Sequence, residues 1–139
     1  MPFWRLFYHF VWSTKNRQPL IGADIEVSLH NVMAAKATKL GAIVHAVGGV
    51  EDHVHLAVSI PPKLSLSDFV SQVKGNSSHF VNHELGIPFA WQAEYGVVSF
   101  GGKQLDVVVK YVKNQRQHHL DKTTMAFLER TLKKGELPV

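Results

Sequence analysis

The segment from His53 to Ile60 restricts the fold of this chain more than any other part of the sequence. It reads His-Val-His-Leu-Ala-Val-Ser-Ile, with an aliphatic residue at every second position. Successive side chains of a strand point to opposite faces of a sheet. The alternation therefore predicts a strand that buries its aliphatic side chains on one face and presents His53 and His55 together on the other, open face.

Two imidazoles at this spacing on a strand can bind one metal ion. The pattern alone is weak evidence, because two solvent-facing histidines are the more common explanation. Other metal-binding families with the same spacing need further residues nearby. A metallo-β-lactamase site continues with Asp-His and a cupin with a glutamate, whereas this chain has Leu56-Ala57 and Ser59-Ile60 there.

A second feature lies nearly sixty residues later, where Tyr111 and Gln115 are one helical turn apart. The segment 105–119 is predicted to be a helix whose apolar stripe consists of Leu105, Val109, Val112 and Leu120. Tyr111 and Gln115 lie away from the centre of that stripe, which predicts that Tyr111 is presented rather than packed. A tyrosine can act as a nucleophile and a glutamine as an oxygen ligand. Considered alone, Tyr111 is better explained as a surface or interface residue.

The remaining pattern predicts strand, helix, strand, strand, helix, strand, helix. The strands are predicted at residues 3–13, 42–50 and 53–60 and around 97–100; the helices are predicted at 23–40, from Ser65 or Ser67 to about 85, at 105–119 and at 123–134. The first six elements form the split βαβ pattern of a ferredoxin-like α+β domain. We expect an antiparallel sheet with helices on one face and an additional C-terminal helix that bears the tyrosine.

Composition limits the possible classes of protein. The length of 139 residues, without an internal repeat, predicts a single domain over residues 1–139. The absence of cysteine excludes disulfides and thiolate zinc sites, and it agrees with a cytoplasmic location. No apolar run is long enough to span a bilayer, so no membrane partner is expected. The net charge of +4 favours an anionic partner, commonly nucleic acid, although a mildly basic enzyme without a polymer partner fits equally well.

Together the two features resemble a known family. His53-Val54-His55 is similar to the histidine-hydrophobic-histidine motif of the HUH nucleases, and the segment from Tyr111 to Gln115 is similar to their tyrosine helix. Over nearly its whole length the chain resembles the single-tyrosine transposases of small insertion sequences, the IS200-like and REP-associated group. Further similar segments are HFVWSTKNR at 9–17, VKGNSS at 73–78, FAWQ at 89–92 and YGVVS at 95–99.

The resemblance implies a function and a site. A divalent ion, Mg²⁺ or Mn²⁺, would be held by His53, His55 and Gln115, and Tyr111 would attack single-stranded DNA to form a 5′-phosphotyrosine. The implied substrate is an imperfect DNA hairpin. The implied assembly is a homodimer in which each site takes Tyr111 from the partner chain. Independently of the resemblance, six basic residues are candidate phosphate contacts, although each alone is better explained as a solvated charge: Lys15, Arg17, Lys74, Lys110, Lys113 and Arg116.

Two other functions stay open at this point. A replication initiator or relaxase-like nickase has the same histidine motif, but such enzymes usually complete the metal site with a third histidine, and Gln115 favours the transposase. The alternative outside enzymes is a non-catalytic, ferredoxin-like nucleic-acid-binding protein, for example a domesticated remnant. The intact set of His53, His55, Tyr111 and Gln115 argues against such decay.

Overall fold

A computed structural model of the chain describes residues 2–131. Within these residues, four strands form one antiparallel sheet in the order β2-β3-β1-β4, and five α-helices surround it. The strands are β1 Phe7–Ser13, β2 Ile43–Val50, β3 His53–Ser59 and β4 Gly96–Phe100; the helices are α1 Ala23–Lys39, α2 Leu66–His79, α3 Leu105–Lys113, α4 Gln115–Asp121 and α5 Ala126–Glu129. This order and pairing confirm the predicted ferredoxin-like α+β fold.

The alternation predicted for β3 is confirmed. One of its faces belongs to the main core between the sheet and helices α1 and α2, which contains Val54, Leu56 and Val58. The other face carries Ala57, which packs in a smaller cluster with Val108 and other residues. The two histidines share this second face, since the strand period places them with Ala57.

The prediction that one face of the sheet is open is wrong, because helices cover both faces. Helix α3 packs across β2 and β3, and every residue of β3 is buried, including His53 and His55. Gly48 permits this close approach: a Cβ at that position would overlap the backbone carbonyl oxygen of Val112 on α3. A side chain there would push the helix away from the sheet.

Several boundaries follow local chemistry. Ser65 rather than Ser67 caps α2, because its hydroxyl oxygen accepts a hydrogen bond of 3.0 Å from the backbone N–H of Asp68. Past its last α-helical residue, α2 continues as the π-helical segment Phe80–Glu84, so the predicted helix to about residue 85 combines two geometries. Strand β1 begins at Phe7, four residues later than predicted. Two short 3-10 helices, Lys15–Arg17 and Gly102–Gln104, follow β1 and β4.

The predicted helix at 105–119 is interrupted at Asn114, which has φ −107° and ψ 31° between α3 and α4. The predicted apolar stripe is also wrong in part, since Leu120 is 77% exposed. Because the segment is rich in valine, an apolar stripe could be drawn on more than one of its faces. The residues that are buried are Val108, Tyr111, Val112 and Gln115.

The tail is helical over a shorter stretch than the predicted 123–134. Helix α5 spans four residues, with Leu128 fully buried. Residues 132–134 of that prediction lie outside the described part of the chain. No helix within residues 2–131 is both long and apolar enough to cross a membrane.

Candidate active site

His53 and His55 lie side by side on β3, with ring centroids 5.0 Å apart. A neighbour fixes the Nδ1 atom of each ring: Asp52 Oδ1 lies 2.7 Å from His53, and His9 Nε2 lies 2.8 Å from His55. Both Nε2 atoms are buried and have no hydrogen-bond partner among residues 2–131. Imidazoles that are oriented through one nitrogen and unpaired at the other are typical of metal ligands.

The carboxylate of Glu129 on α5 lies against these nitrogens. Its Oε1 atom is 3.3 Å from Nε2 of His53, 3.2 Å from Nε2 of His55 and 3.6 Å from Nε2 of His119. Its other oxygen, Oε2, accepts a hydrogen bond from the hydroxyl of Tyr111. One donor atom from each of His53, His55, His119 and Glu129 lies within 4.8 Å of the other three, so the four residues could share a single ion.

Tyr111 is packed in this site, so the prediction that it is presented is wrong. Its side chain is 1% exposed, and its ring lies perpendicular to that of His55 at 5.7 Å between centroids. The hydroxyl also accepts a hydrogen bond of 3.0 Å from the backbone N–H of Met125, just before α5. The helical pattern predicted Tyr111 off the apolar stripe, but the buried residues of α3 are Val108, Tyr111 and Val112. The pattern also carries no information about α5, which covers the residue.

Gln115 borders the same cluster and is also buried, with 1% exposure. Its Nε2 atom donates a hydrogen bond of 3.0 Å to the backbone carbonyl oxygen of Tyr111, one turn earlier. Its Oε1 atom lies 3.2 Å from Nε2 of His119. The side-chain oxygen therefore faces the donor cluster, while the side-chain nitrogen holds the tyrosine helix.

Burial and the Glu129 carboxylate together set the charges in the site. Burial lowers the pKa of His55 and lowers that of His9 to about 3, so both rings are neutral. Burial also acts to lower the pKa of His53, but the neighbouring carboxylates, with Glu129 foremost, raise it overall. Burial opposes ionisation of Glu129, yet the histidines hold the pKa of its carboxyl well below the usual range. Burial and the bond to Glu129 raise the pKa of Tyr111 to about 12.

The six basic residues predicted to contact DNA fall into two groups. The Lys74 ammonium donates hydrogen bonds to the backbone carbonyl oxygens of Gln92 and Glu94, and burial lowers the pKa of Lys74. The Arg116 guanidinium bridges Glu26 at 2.8 Å and Glu51 at 2.6 Å. These two cations already have partners within the chain. Five of the six are exposed, Arg116 among them. The other four have no salt bridge among residues 2–131: Lys15, Arg17, Lys110 and Lys113.

Three residues of the site were not predicted from the sequence: His9, His119 and Glu129. His9 had a usable signal, since it shares the second face of the sheet with His55 once β1 pairs with β3. His119 had one too, because it follows Gln115 by one helical turn. No local pattern in the sequence indicated Glu129, because its position depends on how α5 packs after α4 has ended at Asp121.

Comparisons with known proteins all point to transposases of the IS200-like family. The family described as "Transposase IS200 like" matches residues 2–115. The chain is 26% identical over 119 residues to the ISDra2 transposase TnpA of Deinococcus radiodurans, which covers 81% of this chain and 85% of that protein. It is 25% identical over 119 residues to the transposase for insertion sequence element IS200 of Salmonella typhimurium, with 81% and 78% covered.

Solved structures agree in fold. A crystal structure from Deinococcus radiodurans R1 matches with a TM-score of 0.65 and 26% identity, over 82% of this chain and 93% of that one. A REP-associated tyrosine transposase bound to a REP hairpin matches with a TM-score of 0.62 over 91% of this chain and 76% of that one. At 15% identity, this second likeness concerns the fold alone.

Proposed function

This chain belongs to the IS200-like transposase family, and we propose that it cleaves and rejoins single-stranded DNA at insertion-sequence ends with Tyr111 as the nucleophile. One observation carries the proposal: the hydroxyl of Tyr111 and the Nε2 atoms of His53 and His55 all converge on the carboxylate of Glu129. A nucleophile and two metal-binding nitrogens that reach one small anionic group are also placed to act on one phosphate.

The reaction proposed for Tyr111 is an exchange of phosphate esters. Its phenolic oxygen bonds to the phosphorus of a phosphodiester, the bond from phosphorus to the 3′-oxygen breaks, and a 5′-phosphotyrosine and a free 3′-hydroxyl result. The phenol gives up one proton as its bond to phosphorus forms, and the departing 3′-oxygen takes one up, so no net proton is consumed. A pKa of about 12 keeps the phenol protonated at neutral pH before the attack. Glu129 Oε2 already accepts the hydrogen bond of that hydroxyl. Rejoining reverses these steps with another 3′-hydroxyl, so no ATP is consumed.

We propose that His53, His55 and Gln115 hold a divalent ion, Mg²⁺ or Mn²⁺. When bound, such an ion polarises the scissile phosphate and reduces its negative charge. The residues fit this role, since two buried Nε2 atoms lack hydrogen-bond partners among residues 2–131. Burial keeps His55 neutral, which leaves a lone pair for a metal. The side-chain oxygen of Gln115 faces the same cluster through its contact with His119.

The proposed substrate is a single-stranded DNA hairpin. The REP-associated relative is bound to a hairpin in its solved structure, and hairpin binding in this family would suit the basic surface of the present chain. We assign the phosphate contacts to Lys15, Arg17, Lys110 and Lys113, which are exposed. Lys74 and Arg116 are instead held by hydrogen bonds and ion pairs within the chain. Such contacts hold DNA without reading its sequence.

We further propose a homodimer in which each site takes Tyr111 from the partner chain. In the single chain Tyr111 lies beside its own His55 and is buried, so α3 or α5 must move before a DNA phosphate can reach it. Transfer of α3 to a neighbouring chain would provide that movement. Val107 on α3 is 55% exposed and could take part in the contact between chains.

The proposal is tested with Tyr111→Phe and a labelled DNA hairpin taken from the element's ends. The variant keeps the ring that packs on His55 but lacks the nucleophilic oxygen. We expect it to fold and to bind the hairpin as the unmodified chain does, while the covalent protein–DNA adduct on denaturing gels falls below detection.

Tyr95→Phe, at a half-buried tyrosine of the main core, is the matched control and should form the adduct normally. An adduct with Tyr111→Phe but not with Tyr95→Phe would refute the assignment. Absence of any adduct with the unmodified protein would favour a non-catalytic DNA-binding protein.

A further inference from the structure

We propose that Glu129 is a metal ligand in this chain, with Oε1 directed to the ion shared by His53, His55 and His119 and Oε2 holding the hydroxyl of Tyr111. The inference rests on the metal site of the proposed function and extends it by adding Glu129 and His119 to the donors His53, His55 and Gln115. The Oε1 atom of Gln115 lies 3.2 Å from Nε2 of His119. Glu129 and His119 both lie beyond residues 2–115, the part of the chain that the family matches.

The spacing of the donor atoms supports a shared ion. Around an octahedral ion with ligands at about 2.1 Å, neighbouring ligand atoms lie about 3 Å apart and opposite ones about 4 Å apart. The distances from Glu129 Oε1 to the three Nε2 atoms are 3.3, 3.2 and 3.6 Å. Within residues 2–131, the Nε2 atoms of His53 and His55 make no hydrogen bond, so these contacts are close without being directed hydrogen bonds. All four donor atoms lie within 4.8 Å of one another, which is close enough for one ion to lie among them.

Glu129 is held at the site by the packing of α5 rather than by chance contact of a surface side chain. Leu128, its neighbour, is fully buried. Gly96 on β4 lets the chain after α5 approach the sheet, because a Cβ at Gly96 would overlap the carbonyl oxygen of Arg130. The side chain of Glu129 is itself only 18% exposed. A carboxylate that is fixed in this way among imidazoles needs a cation to offset its loss of solvation.

Two sources could supply that positive charge, and they make different predictions. A protonated His53 would form an ion pair with Glu129 and would need no metal. A metal ion would bind neutral imidazoles together with the ionised carboxylate. We favour the metal because Nε2 of His55 and of His119 also approach the same Oε1 atom, and an ion pair with His53 alone does not account for them. Imidazole ligands with one carboxylate suit Mn²⁺ better than Mg²⁺.

The test measures the binding of Mn²⁺ alone, without DNA, to the full-length protein by titration calorimetry and by the electron paramagnetic resonance signal of free Mn²⁺. Glu129→Gln keeps the size of the side chain but removes its charge, and Glu129→Ala removes the donor oxygens. We expect both to raise the Kd for Mn²⁺ at least about tenfold, because loss of an outer-shell partner alone costs about 10–100-fold. Glu84→Gln is the matched control, since Glu84 is exposed at the end of the π-helical segment, and it should bind Mn²⁺ normally. Thermal unfolding without metal checks that each variant is folded. If Glu129→Ala does not fold, the Mn²⁺ affinity of Glu129→Gln alone decides the test.

Unchanged or tighter Mn²⁺ binding by Glu129→Gln would overturn the proposal and identify Glu129 as an ion-pair partner that covers the site. The variants His53→Ala and His55→Ala separate this outcome from failure of the proposed function. If they lose Mn²⁺ while Glu129→Gln keeps it, only the role of Glu129 is wrong. If they also keep it, the metal site itself is wrong.

Discussion

At the scale of single residues, the candidate site depends on which nitrogen of each imidazole is engaged. Asp52 takes Nδ1 of His53, and His9 takes Nδ1 of His55, so that both Nε2 atoms face Glu129. The His9–His55 pair shares one proton over 2.8 Å, and when His55 donates that proton its Nε2 keeps a free lone pair. A metal site of this kind therefore includes residues that never touch the metal.

This arrangement predicts the effect of Asp52→Asn. The asparagine can still occupy the same space, but it lacks the negative charge that orients and polarises the His53 ring. We expect the Kd for Mn²⁺ to rise about 10–100-fold and adduct formation to fall in parallel, with little change in unfolding temperature. Titration calorimetry and the denaturing-gel assay measure the two effects. Asp68→Asn, at an exposed residue in the first turn of α2, is the control for the loss of one charge. Wild-type Mn²⁺ affinity in Asp52→Asn would mean that His53 is oriented by other contacts.

At the scale of elements, the sequence predicted what depends on local period and failed where distant parts of the chain meet. The alternation of residues 53–60 was enough to identify β3 and to place His53 and His55 on one face, because a strand has a fixed period of two. The order of strands and helices was enough to indicate the ferredoxin-like pattern. Helix α3 covers the predicted open face of the sheet, and no periodicity within a strand reports which helix will pack on it.

For the same reason, only some residues of the candidate site could be identified from the sequence. His53, His55, Tyr111 and Gln115 stand out through spacing within one element, and the structure brings all four together. Glu129 joins them only because the chain turns back after α4, where Lys122 has φ 57°. The burial of Tyr111 has the same origin. A long-range contact between α5 and β3 leaves no mark on the pattern of either segment.

Gly48 is the element-scale feature with the sharpest consequence. It lies where β2 meets the end of α3, and the backbone of α3 occupies the space that a side chain would need. We expect Gly48→Ala to lower the free energy of unfolding by about 1–3 kcal/mol, as overpacking in a core does. We also expect the adduct to decrease by more than the loss of folded protein explains, because the displaced helix carries Tyr111.

Gly75 provides the matched control for this prediction, since an added Cβ there meets nothing within 4 Å. It lies inside α2, so Gly75→Ala should stabilise the protein by roughly 0.5–1 kcal/mol through helix propensity. Chemical denaturation measures both variants, and the adduct assay is normalised to the folded fraction. Equal adduct yields per folded molecule in the two variants would mean that the position of α3 on β2 does not govern the reaction.

At the scale of the whole molecule, the closed arrangement of the single chain conflicts with access of DNA to Tyr111, the proposed nucleophile. Tyr111 is buried between its own His55 and the start of α5, and its hydroxyl is bonded to Glu129 and to the backbone of Met125. A DNA strand cannot reach the Tyr111 hydroxyl unless some of these contacts are broken. Joining of two DNA ends also needs two cleavages that are coordinated with each other. A homodimer that exchanges its α3 helices would meet both requirements.

Exchange of Tyr111 between chains is tested by complementation of two inactive variants. Tyr111→Phe lacks the nucleophile but keeps its histidines, and His53→Ala lacks a metal ligand but keeps its tyrosine. When the two are mixed under conditions that allow subunit exchange, a heterodimer with shared sites contains one intact site. We expect the mixture to recover up to about a quarter of the wild-type adduct, since half of the dimers that form at random are mixed and each has one of two sites restored. The adduct should form on the His53→Ala chain alone, which a tag of different mass on each chain would reveal.

If each chain instead uses its own Tyr111, as in the arrangement of the single chain, both sites of the heterodimer stay inactive and the mixture forms no adduct. Sedimentation of the mixture with hairpin DNA then verifies that dimers were present, and a protein that stays monomeric with DNA bound would exclude exchange directly.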